Sequence, residues 1–212
     1  MMGAHNWTDR QTDTSKIHFT MIVFIDNGHG VECRGNRSPD ARIYEWRYTR
    51  EIAERVQERL SQEGIFSGLL VPETTNISLK ERVARANRMY EINNGKVILV
   101  SIHNNAFTRG WNPANGWSVH ISPVASQNSK RLAQIFADEA AKHVWVRRCS
   151  PTQSYWRQNL YILNNTKCPA VLTENLFMTN REDVDFLLSD EGKQKIVDIH
   201  VEAIKRYISS LA

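Results

Sequence analysis

The feature that most constrains this chain is an alternation of short aliphatic runs with stretches of helical periodicity. Candidate strands lie at 21–26, 65–71, 97–103, 116–121, 160–163 and 170–174. Between them, apolar residues recur at i, i+3 and i+4. One set is Tyr48, Ile52, Val56 and Leu60, and a second is Leu79, Val83, Ala86 and Tyr90. A third is Leu132, Ile135, Phe136 and Ala140, and the last is Ile196, His200, Ala203 and Tyr207. Asn180, three residues before Asp183, and Ser189 read as helix caps. Strands that are apolar throughout are covered on both faces, and strands alternating with helices form parallel crossover units. The pattern predicts one α/β domain over 20–212, with a mostly parallel sheet and helices on both faces. Residues 1–19 are polar and aperiodic, and read as an N-terminal tail.

Composition then removes several classes of function. Of 212 residues, 41% are hydrophobic and 24% charged, too apolar for a disordered chain. No apolar run approaches the roughly 20 residues that span a bilayer, and the first residues lack the apolar core of a signal peptide. Cys33, Cys149 and Cys168 are too few and too scattered for a disulfide framework or a Cys-rich metal knuckle. The net charge of +4 is mild, and the basic residues are interspersed with acids, which disfavours a nucleic acid partner.

Three candidate strands end in residues suited to acid–base or metal chemistry. The first runs into Asn27-Gly28-His29-Gly30, the third into His103-Asn104-Asn105, and the last into Glu174-Asn175. Ligands of parallel α/β sheets bind beyond the carboxyl ends of the strands, so His29, His103 and Glu174 share one rim. Glu45 falls within the apolar arc of the first helix, where a carboxylate is costly unless paired or bound to a metal. A salt bridge to Arg34, Arg37, Arg42, Arg47 or Arg50 is one reading. The other is a zinc ligand. Two His and one Glu with an open fourth position form a catalytic zinc set, whereas structural sites are closed by four protein ligands. Glu174 is then the spare carboxylate that moves a proton between water and a leaving nitrogen. No GxSxG, Walker A or GxGxxG run competes.

These motifs resemble the type 3 zinc-dependent N-acetylmuramoyl-L-alanine amidases. The family's D-P-G-H-G corresponds to residues 26–30, its helix-start glutamate to Glu45, and its vsLxxRxxxAN helix to Ile77-Ser78-Leu79-Lys80-Glu81-Arg82 with Ala86-Asn87. S-I-H-x-N-A matches residues 101–106, and the stretch around the catalytic glutamate matches residues 169–180. Two positions depart from the pattern. Asn27 replaces a proline and is expected to loosen the His29 loop. Leu176 replaces a glycine and is expected to narrow the cleft or shift the backbone beside Glu174.

The resemblance implies a twisted six-stranded sheet and one Zn²⁺ held by His29, Glu45 and His103. It also implies hydrolysis, with Glu174 as base and then acid, of the amide joining N-acetylmuramic acid to L-alanine in peptidoglycan. The partners are the glycan strand and stem peptide of peptidoglycan, and a monomer acting at the bacterial cell wall is expected. It would get there after holin-type release or removal of a leader. A different zinc amide hydrolase (a carboxypeptidase or deacetylase) and a silent wall-binding module are the alternatives.

Asn105 and Asn175, next to His103 and Glu174, are candidate substrate-binding residues. So are Arg148 and Trp156, in an aromatic and basic loop that could line a groove. His120 reads as a rim or surface residue, and His200 as a packed core histidine. The loops at 107–115 and 144–159 each contain a proline, Pro113 or Pro151, and no inhibitory helix is expected in either.

Overall fold

The computed structural model describes residues 21–211, so the tail expected at 1–19 lies outside the described residues. The chain order is β1 (Ile22–Asn27), α1 (Glu45–Gln62), β2 (Ser67–Leu69), α2 (Leu79–Ile92), β3 (Val97–Asn105) and β4 (Ser118–Ile121). There follow α3 (Gln127–Ala140), β5 (Trp156–Arg157), α4 (Tyr161–Asn165), β6 (Ala170–Phe177), α5 (Arg181–Leu188) and α6 (Asp190–Ser209). The six strands form one sheet in the order β2-β1-β3-β6-β4-β5. All neighbours are parallel except β4, which runs antiparallel to β6.

The aliphatic runs are buried on both faces, as a parallel sheet requires. Ile98, Val100 and Ile102 of β3 belong to a core that includes residues of α1, α3, α5 and α6. Val97 and Leu99 of the same strand belong to a second core with Val83 and Ala86 of α2 and Ile162 and Leu163 of α4. The caps act as the sequence suggests: Asn180 accepts from the Asp183 backbone N–H at 3.0 Å, and Ser189 from Gly192 at 2.9 Å.

One expected strand is wrong. The run at 160–163 enters α4, closed by the Asn164 N–H donating to the Leu160 carbonyl at 2.9 Å, while the edge strand is Trp156–Arg157. A four-residue apolar run fits either conformation, and burying Ile162 and Leu163 beside α2 selects the helix. No helix of the described residues is long and apolar enough to cross a membrane.

The centre of the sheet carries an irregularity that bears on function. His103 pairs with Glu174, yet Asn105 pairs with Phe177, so β6 uses three steps where β3 uses two. This is a β-bulge, and it places Leu176 at φ 64°. Glycine adopts that conformation freely, whereas an L side chain there costs about 1–2 kcal/mol. Leu176 is 4% exposed, packed in the core, and does not line the cleft, so it does not narrow it; the backbone bears the departure.

Candidate active site

His29, Glu45 and His103 meet where β1 and β3 end and α1 begins. One ligand atom from each lies within 4.8 Å of the other two. Glu45 is the hub: Oε1 lies 3.0 Å from His103 Nδ1, and Oε2 3.1 Å from His29 Nε2. It is the first residue of α1, where the helix dipole favours a carboxylate. The backbone N–H of Asn104 donates to Oε1 at 3.0 Å.

The glycines beside His29 are dictated by close approach. A Cβ on Gly28 would come within 2.6 Å of the His103 ring, and one on Gly30 would collide with the backbone of Asn76. His29 itself is held at φ 64°. Its loop is fixed by Arg82, a buried α2 residue whose Nη1 donates to Asp26 Oδ1 (2.6 Å) and the Asn27 carbonyl (2.6 Å). Arg82 Nη2 donates to the His29 carbonyl (3.1 Å). Ser101 donates to the other Asp26 oxygen at 2.6 Å, and Thr49 to the Gly28 carbonyl at 3.0 Å. Asn27 does not loosen this loop. It is fully buried, and with its amide turned to suit both neighbours it donates to the Val71 carbonyl (3.0 Å) and accepts from Arg50 (2.9 Å).

The cluster suits a metal. Ligands of a tetrahedral zinc stand about 3.3 Å apart, close to the two Glu45–His separations. Asn36 Nδ2 lies 2.9 Å from His29 Nε2 and donates to Glu45 Oε2 at 3.0 Å. A cation between Nε2 and Oε2, which lie 3.1 Å apart, would take the place of a proton shared between them. Burial opposes charge on Glu45, but hydrogen bonds with His103 and His29 prevail and hold its carboxyl well below the usual range. Burial likewise opposes charge on His103, yet its hydrogen bond with Glu45 and that charge push it up to about 9.

Glu174 lines the same cleft, a cavity of about 930 Å³. Its Oε2 is buried without a hydrogen-bond partner. Burial pushes its carboxyl up to about 8, against the pull of His103.

The remaining sequence candidates separate. Asn105 lines the cleft. Asn175 does not; it is fully buried, accepting from Trp117 Nε1 at 2.8 Å and donating to the His103 carbonyl at 2.9 Å. Arg148 and Trp156 are also outside the cleft. Arg148 lines a separate cavity near Trp145, and the Trp156 indole donates to the Arg147 carbonyl at 2.8 Å. His120, expected at the rim, is 5% exposed and stacks on Trp156, and burial lowers its pKa to about 4. His200 is a core residue, bonded to Thr173 at 3.0 Å. Neither the 107–115 nor the 144–159 loop contains a helix. Asn36 and the cleft-lining Arg37 and Arg109 were not singled out as site residues from sequence. The polar loop between His29 and Glu45 held the one signal, its proximity in sequence to two candidate ligands.

A mostly parallel sheet that gathers two imidazoles and two carboxylates in one open cleft defines a hydrolase with a potential metal centre. Comparison with known proteins makes the class specific. The chain belongs to the N-acetylmuramoyl-L-alanine amidase family, whose model matches residues 23–206. It is similar to the uncharacterized protein YqiI of Bacillus subtilis, with 30% identity over 186 residues covering 87% of this chain and 84% of that one. It is 29% identical over 187 residues to the N-acetylmuramoyl-L-alanine amidase LytC of Bacillus subtilis, covering 87% of this chain but 35% of LytC. Among solved structures, the N-acetylmuramoyl-L-alanine amidase of Clostridium difficile 630 superimposes with a TM-score of 0.79 at 28% identity. That match covers 91% of this chain and 99% of the other. The catalytic domain of CwlV from Bacillus (Paenibacillus) polymyxa var. colistinus shares the fold, with a TM-score of 0.75 at 23% identity over 90% of this chain.

Proposed function

We propose that this chain hydrolyses the amide between the lactyl group of N-acetylmuramic acid and L-alanine of the stem peptide in peptidoglycan. In this reading His29, Glu45 and His103 hold one Zn²⁺, and Glu174 is the catalytic base. The observation that carries it is the unpartnered, buried Oε2 of Glu174 in the cleft that the three ligands share. A buried carboxyl oxygen without a protein partner, in the cleft beside the ligand cluster, is free to exchange a proton with water or substrate.

Zinc bound there supplies a Lewis acid for the carbonyl and lowers the pKa of water to about 7. Glu174 accepts a proton from the attacking water at Oε2 and returns it to the L-alanine nitrogen as the amide bond breaks. Its raised pKa lets one group serve as base and then as acid near neutral pH. The buried Asn175 amide, bonded to the His103 carbonyl, and the Asn104 N–H on Glu45 fix the ligands from behind.

Glu174→Gln keeps the shape and removes the acceptor. It is expected to retain zinc and lower the turnover of purified peptidoglycan by about 10²–10⁴-fold. Analysis of new end groups should find L-alanine amino termini. Near wild-type turnover in the variant, or release of acetate or a free C-terminal residue instead, would contradict the assignment.

A further inference from the structure

The cleft has a charge pattern that the reaction itself does not use. Among the described residues its acids are Glu45 and Glu174 at the floor, whereas Arg37, from the loop between β1 and α1, and Arg109, from the loop after β3, line its walls. Both are exposed. Neither forms an ion pair among the described residues. The Arg37 guanidinium meets Tyr44, through the hydroxyl at 3.4 Å and the ring at 5.9 Å, and the Arg109 side chain has no hydrogen bond among the described residues. Several other arginines near these elements are ion-paired, Arg42 to Asp40 and Asp185, Arg82 to Asp26, and Arg85 to Glu73 and Glu81, whereas Arg34 and Arg47, like Arg37 and Arg109, are not, but do not line the cleft. Two guanidiniums without ion pairs, on two loops of a reaction cleft, therefore present most of their N–H donors and two positive charges to whatever enters. A recessed, partly apolar cleft focuses that field, and the planar guanidinium fork matches a carboxylate in bidentate fashion.

The substrate offers a group of that kind close to the scissile bond. In a stem that begins L-alanyl-D-glutamate, with the second residue linked through its side chain, the free α-carboxylate lies about 6 Å along an extended chain from the scissile nitrogen. That distance keeps it inside the cleft. In other stems the same carboxylate is amidated and carries no charge.

We propose that Arg37 and Arg109 form a carboxylate-binding subsite, through which the chain favours stem peptides with a free α-carboxylate at the second residue over amidated ones. The proposal rests on the amidase reading. It extends that reading to a choice between substrates.

The test uses the zinc-loaded protein and two substrates that differ at one group, N-acetylmuramoyl-L-alanyl-D-glutamate and N-acetylmuramoyl-L-alanyl-D-isoglutamine. The ratio of kcat/KM, acid over amide, is expected to be about tenfold or more, the scale of one charge-assisted hydrogen bond. It should shrink with added salt. Arg37→Gln and Arg109→Gln should each lower the ratio, the double variant should bring it near one, and Arg37→Glu with Arg109→Glu should invert it. Zinc content and melting temperature confirm that each variant is folded. A wild-type ratio near one, or a ratio that survives the double substitution, would overturn the proposal. If neither compound is hydrolysed, the cleavage assignment is what fails. The subsite is then judged by titrating both compounds into the Glu174→Gln protein, where equal affinities reject it and a preference for the acid that Arg37→Gln weakens supports it.

Discussion

Replacing Leu176 provides a test of the bulge beside Glu174 in which the ordinary ranking of two substitutions is suppressed. Leu176 is 4% exposed at φ 64°. Leu176→Ala loses about 2–5 kcal/mol of packing and keeps the strained conformation. Leu176→Gly loses the same packing, about 0.8 kcal/mol more for the remaining carbon, and about 0.4–1 kcal/mol through the looser unfolded chain. It also recovers the roughly 1–2 kcal/mol of left-handed strain. These terms nearly cancel, so the glycine variant should match the alanine variant within about 0.5 kcal/mol. Leu172, on the same strand, equally buried and without positive φ, is the control. There the strain term is absent, and glycine should be about 1–2 kcal/mol worse than alanine. Urea denaturation of the four variants at one zinc concentration measures both gaps. If the gap at 176 equals the gap at 172, the strain argument is wrong.

His29→Ala, Glu45→Ala and His103→Ala should each remove most of the bound zinc, and metal analysis showing full occupancy in all three would sink the ligand assignment. Arg82→Met leaves Asp26 buried and unpaired and frees the Asn27 and His29 carbonyls; it should cost about 3–5 kcal/mol of stability and weaken zinc binding about 10–100-fold, read by chelator competition. Unchanged zinc affinity would make Arg82 purely structural. The metal-free protein should lose stability as pH rises. Its folded His103, pushed up to about 9 from an ordinary 6.5, contributes fully below the ordinary value and loses that contribution as pH climbs through about 9. Glu174, pushed up to about 8 from 4.5, favours folding only while protonated and adds a slope of the same sign. Zinc bound as proposed would take the place of the His103 proton and should flatten the profile. Denaturation midpoints at about pH 6, 7.5 and 9, with chelator and with zinc, decide it; a metal-free midpoint that rises over that range refutes the sign.

Much of the site was visible in the residues alone because its geometry follows from local pattern. An aliphatic run that ends in a histidine or glutamate marks the carboxyl end of a parallel strand, so β1, β3 and β6 bring His29, His103 and Glu174 to one rim. Helical periodicity alone puts Glu45 on the inward arc of α1. The caps Asn180 and Ser189 were equally local. These are statements about which face a side chain occupies and whether it is covered, and periodicity encodes both.

What only the tertiary structure decided depends on contacts between distant segments. The antiparallel direction of β4 and the choice of Trp156–Arg157 over the 160–163 run for the edge strand depend on which neighbours bury more surface. The bulge in β6 turns Asn175 into the core and forces Leu176 into the left-handed region, and a single extra residue in one strand leaves no mark on a period of two. The Asp26–Arg82 clamp spans 56 residues, and Asn36 meets His29 and Glu45 only because the loop folds back over them. Arg148 and Trp156 look like groove residues by type but lie outside the cleft, whereas Arg37 and Arg109, unremarkable in sequence, line it. Residue type and spacing determined the chemistry available to this chain; the free energy of long-range packing determined which of those groups meet.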